Sequence, residues 1–257
     1  MGYVVDDEGR VIEESEAPRG GAKRLSSSGS LSLARVFLYM FVGLLITAGV
    51  SVGLGLLFRN IFAGADINAM NDAAIAYIVI MITCGIAVLV LSILLNVFLY
   101  KGKSLWVPSI LYTVFMGGLL SAFTIFVDWS VLGLAFGITA GVFGLMALIA
   151  LLSKGNLSGL AIAGIGLLAG ALILSLANWI LWLVTGGTWT TLYIIISFIL
   201  LAAMMLITIF DMWRIKKICE RGEMSPNMEL YCAFTLYVDF VYILIRIIYI
   251  LLLSKRS

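Results

Sequence analysis

Seven stretches of mostly apolar residues, each about 20 residues or longer, account for most of the chain, and each can cross a hydrocarbon core of roughly 30 Å at 1.5 Å of helix rise per residue. They run approximately from Ala34 to Phe58, Ala74 to Leu99, Leu105 to Val127, Val131 to Leu152, Gly159 to Val184, Trp189 to Trp213 and Met228 to Leu253. The predicted fold class is all-α: a polytopic membrane protein whose seven transmembrane helices occupy residues 33–257. Hydrophobic residues make up 63% of 257 positions and charged residues 12%, against roughly half and a quarter in soluble domains. A water-soluble core cannot absorb that much apolar surface.

Residues 1–32 are polar and rich in Asp, Glu, Ser and Gly, too poor in apolar area to fold alone. They are expected to form a mostly disordered cytoplasmic tail, in which "YVVDDEGRVIEE" can close a small hairpin around Glu8-Gly9. They do not have the pattern of a cleaved secretory signal, so the first span is expected to act as its own insertion signal. With the amino terminus inside, twelve basic residues from Arg10 to Arg221, including Lys101, Lys103, Lys154, Arg214, Lys216 and Lys217, fall on the cytoplasmic side. Only Arg59, Lys255 and Arg256 fall outside, as the positive-inside rule requires. The two terminal charges fit less well, which leaves open a last segment that enters and returns without crossing.

Several function classes drop out. The net charge is +2 and the basic residues are dispersed among short loops, so nucleic acid is not an expected partner. Cys84, Cys219 and Cys232 lack CxxC spacing and are expected to be reduced packing residues. Histidine is absent, which removes the usual near-neutral titrating group and the commonest metal ligand. "GVSVG" around Ser51 and "GIGLLA" from Gly164 match catalytic and dinucleotide patterns only by chance, since both lie inside apolar spans. Nothing in the sequence argues for an enzyme, and no cofactor is expected. Small-xxx-small spacings at Gly49/Gly53, Gly133/Gly137/Gly141 and Gly166/Gly170 predict helix packing seams.

The chemistry centres on two carboxylates. Asp239 lies 11 residues into the last span, roughly 16 Å along a helix, where a carboxylate costs at least a few kcal/mol and faces a bundle interior or wet cavity. Cys232, Thr235, Asp239, Tyr242 and Arg246 follow steps of 3, 4, 3 and 4, which predicts one inward polar stripe. A static, water-bridged pair of Asp239 and Arg246 is the alternative. Asp211 ends the sixth span with Ser197, Met204 and Thr208 on its face. It can also be read as an interfacial residue paired with Arg214, a contribution of a few tenths of a kcal/mol.

Spans six and seven are antiparallel and joined by about 14 residues containing Pro226, so both aspartates can approach the cytoplasmic half of one bundle. Two neighbouring carboxylates titrate as a unit and can hold or release a proton near physiological pH. They can equally attract a hard cation. Ca²⁺ takes roughly 6 to 8 oxygens and two carboxylates supply at most about four, so occupancy would be weak and transient, as a permeation path needs. Thr208, Thr235 and Tyr242 are the candidate pore-lining residues.

These residues resemble the signature of the transmembrane Bax inhibitor motif family. "IFDMWRIKKI" and "LYCAFTLYVDFVYILI" are similar to its Asp-x-x-x-Ile-Lys run and its Leu-Tyr-Leu-Asp-Phe-Ile-Asn segment. "AFGITAGVFGLMALIALLSKGNLSGL" and "LYKGKSLWVPSILYT" extend the likeness to four of the seven spans. The resemblance implies a seven-helix fold with the last helix surrounded by the other six, and a pH-sensitive Ca²⁺ leak whose proton-sensing aspartates fall on Asp211 and Asp239. It also implies a basic residue at the end of the second span that pairs with the first aspartate, for which Lys101 is the nearest match. Lysine there replaces an arginine, which loses bidentate pairing, and Tyr242 stands where the family has asparagine.

The expected function is thus a passive calcium-leak channel gated by protonation of the aspartate pair, in a prokaryotic plasma membrane with the amino terminus in the cytoplasm. Its expected partners are bilayer lipid, protons and Ca²⁺. The alternatives are a proton-coupled small-solute transporter using the same carboxylates as a relay, and an interaction protein for membrane proteases or stress factors with the acidic tail as contact surface.

Overall fold

The computed structural model of the chain describes residues 3–5, 11–13, 27–64, 66–185, 190–222 and 224–254. Seven helices follow one another: α1 (Ser27–Gly64), α2 (Ile67–Tyr100), α3 (Trp106–Phe126), α4 (Trp129–Leu152), α5 (Ser158–Thr185), α6 (Thr190–Arg221) and α7 (Pro226–Ser254). Each contains a window long and apolar enough to cross a membrane. α7 is continuous over 29 residues, so the alternative of a re-entrant last segment is set aside. Ahead of the bundle, β1 (Tyr3–Val5) and β2 (Val11–Glu13) pair antiparallel with Val4 opposite Ile12, the expected hairpin. The disorder expected for residues 1–32 falls largely on positions outside the described residues, and α1 begins at Ser27, inside that stretch.

The helices overrun their apolar cores, most consequentially at the turn between α6 and α7. Its length is residues 222–225, where the sequence pattern predicts about 14. Beyond Asp211 the polar run "WRIKKICER" continues α6, which stops at Gly222, whose φ of +72° suits a residue without Cβ. The Gly222 N–H reaches back to the Cys219 carbonyl at 3.2 Å. α7 then starts with Ser225 as cap, its Oγ accepting the Met228 N–H at 3.2 Å, and Pro226 at the first helical position. Lys216 on α6 donates to the Leu151 and Ser153 carbonyls at 2.7 and 3.1 Å, so its ammonium closes the open end of α4.

α7 packs against α1, α4 and α6, touches α2, and meets α3 through the rings of Tyr112, Phe234 and Tyr237. α5 packs chiefly on α6, so α7 is enclosed mainly by five of the other six helices. Tyr237 sits almost fully buried where α1, α3 and α7 meet. Its hydroxyl lies 2.6 Å from Thr47 Oγ1, which also donates to the Thr113 carbonyl at 3.0 Å.

The glycine seams fall elsewhere than the spacing predicts. A Cβ on Gly49, Gly53, Gly133, Gly137, Gly141, Gly166 or Gly170 would meet nothing within 4 Å. The close approaches are at Gly55 against Thr124, Gly117 against the Thr47 carbonyl and Val50 at 2.7 and 2.8 Å, Gly118 against Cys84, and Gly164 against Ile207. A small residue permits an approach but does not specify which helix face is used.

Gly117→Val is therefore expected to lower stability by about 1–3 kcal/mol through overpacking of α1 on α3. Gly137→Ala is expected to be neutral or to raise stability by up to about 1 kcal/mol. Thermal unfolding of both variants in one detergent, followed by circular dichroism, measures the contrast.

Candidate ion and proton site between α6 and α7

Asp239 is carried 13 residues from the start of α7 and Asp211 10 residues from the end of α6. At 1.5 Å per residue these are depths of about 20 and about 15 Å from the same end of the bundle. The structure thus moves Asp211 well inside a helix that extends past the apolar span. The short turn holds α6 against α7, and the charge on Asp211 acts directly on Asp239. Asp239 is 5% exposed, and its Oδ2 is one of three buried side-chain polar atoms without a partner among the described residues. The fully buried Thr208 lies beside the same carboxyl, and its hydroxyl donates to the Met204 carbonyl at 2.8 Å.

The other expected residues divide. Arg214 is the cation whose charge reaches Asp211. Lys101 is exposed, and no ion pair joins it to Asp211 among the described residues. α2 contributes Asn96 at that place, whose Oδ1 accepts the Tyr231 hydroxyl at 3.0 Å, and Tyr231 in turn lies beside Arg214 and Asp211. Arg246 lies two turns beyond Asp239, beside Tyr193 and Tyr249, whose rings are 5.2 Å apart. No ion pair joins it to Asp239 among the described residues.

The inward stripe needs correction as well. Tyr242 is 49% exposed, Thr235 is half-buried with its hydroxyl on the Tyr231 carbonyl, and the buried arc of α7 runs through Cys232, Leu236, Asp239, Phe240 and Ile243. Asp239 marks one edge of that arc, so the residues on its far side turn outward.

Sequence reasoning also missed Glu229. It is 3% exposed in the first turn of α7 and pairs with Arg35 of α1 at 3.0 Å. Arg35 also donates to Ser32 at 3.3 Å. The available signal was a carboxylate three residues after Pro226 with an arginine at the head of the first span.

The family model described as "Inhibitor of apoptosis-promoting Bax1" matches residues 30–257. The chain belongs to the Bax inhibitor family. Its relatives include the inner membrane protein YbhL of Escherichia coli K12 and of E. coli O6:H1, each 30% identical over 219 residues, covering 81% of this chain and 86% of theirs. No solved structure matches the chain. Within this Bax inhibitor family member, the Asp-x-x-x-Ile-Lys run has a legible architecture. Asp211 faces α7, while Lys216 turns away to cap α4. The matched segment also includes the α1–α7 clamp of Arg35 and Glu229.

Arg35→Ala strands the buried Glu229 carboxylate and is expected to cost about 1–3 kcal/mol, less than for a wholly buried pair because the arginine is half exposed. Arg35→Ala with Glu229→Gln should recover about 1 kcal/mol of that loss in a double-mutant cycle. Denaturation in detergent of the wild type and three variants measures it.

Proposed function

We propose that this protein is a passive, proton-gated cation pathway in a bacterial plasma membrane, preferring Ca²⁺, with its amino terminus in the cytoplasm. The observation that carries the reading is the unpartnered Oδ2 of Asp239 in mid-span, beside Asp211 and Thr208. A carboxylate so placed is useful when water, a proton or a cation comes to it, and intramembrane acids generally mark such paths. Two carboxyls that share one proton hold α6 against α7. When that proton leaves, two like charges repel across the seam and present oxygens to a hard cation. Arg214 is the counter-charge that holds Asp211 in the closed arrangement.

Among the described residues no three acidic, histidine or cysteine side chains converge to hold a metal ion. In this reading Ca²⁺ passes transiently, with waters completing its shell. The inner-membrane relative and the excess of basic residues at the α6–α7 end support the location and orientation. Proton-coupled solute transport would be favoured by broken helices in corresponding halves, and the seven spans are continuous. The reading involves no catalysis.

Purified protein in Ca²⁺-loaded liposomes is expected to leak Ca²⁺ at a rate that changes across the physiological pH range. Asp239→Asn should lower that rate by about tenfold, the effect of about 1.4 kcal/mol of lost cation attraction. Asp239→Asn and Asp211→Asn should each remove its pH dependence. Unchanged, pH-dependent leak in both variants would exclude the aspartate pair from the mechanism.

A further inference from the structure

The second orphan among the buried polar atoms is Ser109 Oγ, in the first turns of α3. Hydroxyls in membrane helices commonly bond back to a carbonyl three or four residues earlier. Here Thr83, Ser92, Thr113, Ser121, Thr139, Ser197, Thr208 and Thr235 all do. Ser109 is 8% exposed and does not. It lies in a half-open cleft between α1, α3 and α7, whose inner wall includes Gly43, Ala233 and Tyr237.

The cleft is almost wholly apolar and opens through Val42, Trp106 and Ile110, each about half exposed. On a membrane-spanning bundle, residues exposed at that depth face acyl chains. Tyr39 and Trp106 stand edge-to-face at its rim with ring centroids 5.2 Å apart, the aromatic pairing of a membrane–water boundary. Arg35 lies one helical turn, about 6 Å, nearer the end of the bundle, with its side chain half exposed. That arginine is engaged by Glu229, so from the boundary inward the cleft itself offers an aromatic rim, one unpaired hydroxyl donor and a greasy floor.

We infer that this cleft binds one ester-linked membrane glycerophospholipid: the headgroup outside the Tyr39–Trp106 rim, the acyl-ester carbonyl accepting a hydrogen bond from Ser109, and the chain lying along Gly43 and Ile46. The order of groups along the cleft matches the order of groups along such a lipid. A free apolar molecule would leave the hydroxyl unsatisfied, and the hydroxyls of Thr113 and Tyr237 that also line the cleft are already engaged, with the Ile110 carbonyl and with Thr47. The site lies on the face of α7 opposite to Asp239, so its test is independent of the ion-path reading.

The full chain, purified in detergent and stripped of co-purified lipid, is titrated with a diacyl phosphatidylcholine and with its dialkyl ether counterpart of the same chain length. Bound lipid is counted by native mass spectrometry. The wild type is expected to retain the diester about two- to tenfold better than the diether, which lacks the carbonyl, the range for one net hydrogen bond. Ser109→Ala should abolish that preference. Val42→Trp, at the half-exposed rim, should reduce binding of both lipids. Thr83→Ala, at a hydroxyl bonded to its own helix on exposed α2, should leave the preference intact. Equal retention of diester and diether by the wild type, the same preference in Ser109→Ala, or displacement of both phospholipids by palmitic acid alone would overturn the inference.

Discussion

A carboxyl group halfway along a hydrocarbon-crossing helix sets the terms for the rest of this molecule. Lipid offers Asp239 no hydrogen-bond donor and no screening, and isolated ionisation there is costly enough that a helix bearing it must be sheathed by others. α7 is the helix so sheathed, with α1, α4 and α6 against it. Its neighbours solve the backbone problem separately, each as an unbroken helix whose peptide groups are satisfied within the segment. α2 and α5 lie toward the perimeter and expose most of their surface, because in lipid an apolar face needs no cover.

What holds the sheath together differs from a soluble core. Lipid tails are as apolar as leucine, so helix association relies on close approach and hydrogen bonds across helices. Between α1 and α3 both operate at once. Gly55 and Gly117 let the backbones meet, and Thr124 donates to the Ser51 carbonyl at 2.9 Å while Thr47 bridges to Thr113 and Tyr237. α7 is tied into that pair by the Tyr237 hydroxyl in mid-bundle and by the ion pair of Glu229 with Arg35 near its start. The α6–α7 turn, capped at both ends, then sets the depth at which Asp211 meets Asp239.

The spans, their number and the exceptional position of Asp239 were legible because hydrocarbon imposes a length and a polarity on every crossing, and neither requires a partner to be known. The partners were not legible. These helices are apolar nearly all round, so periodicity carries little information about which side meets protein. Gly133, Gly137 and Gly141 have the spacing of a seam and meet nothing within 4 Å, whereas Gly117 and Gly118 pack against neighbours between 34 and 70 residues away in sequence. The family resemblance put Lys101 forward, and it is Asn96 that makes the contact from α2 to α7. A long charged side chain at a span end can snorkel to the surface, and here a shorter polar one further in reaches α7. The length of α6 was hidden for a related reason: its last turns are polar, and only the caps at Gly222 and Ser225 and the contact of Lys216 with α4 explain why they stay helical.

Thr208 belongs beside the two acids because a hydroxyl carries one proton, here given to the Met204 carbonyl, and the Asp239 carboxyl is its neighbour across the seam. In the proposed path an ionised Asp239 would draw that proton and leave the Met204 carbonyl of α6 short of the bond, and a neutral Asp239 would donate to the hydroxyl and leave the hydroxyl's own proton on Met204. The charge on one helix would thereby be coupled to the hydrogen bonding of the next through a single rotor. In the proposed path this would give protonation a mechanical consequence on α6, the helix that also carries Asp211 and, about one and a half turns further on, the lysine that caps α4.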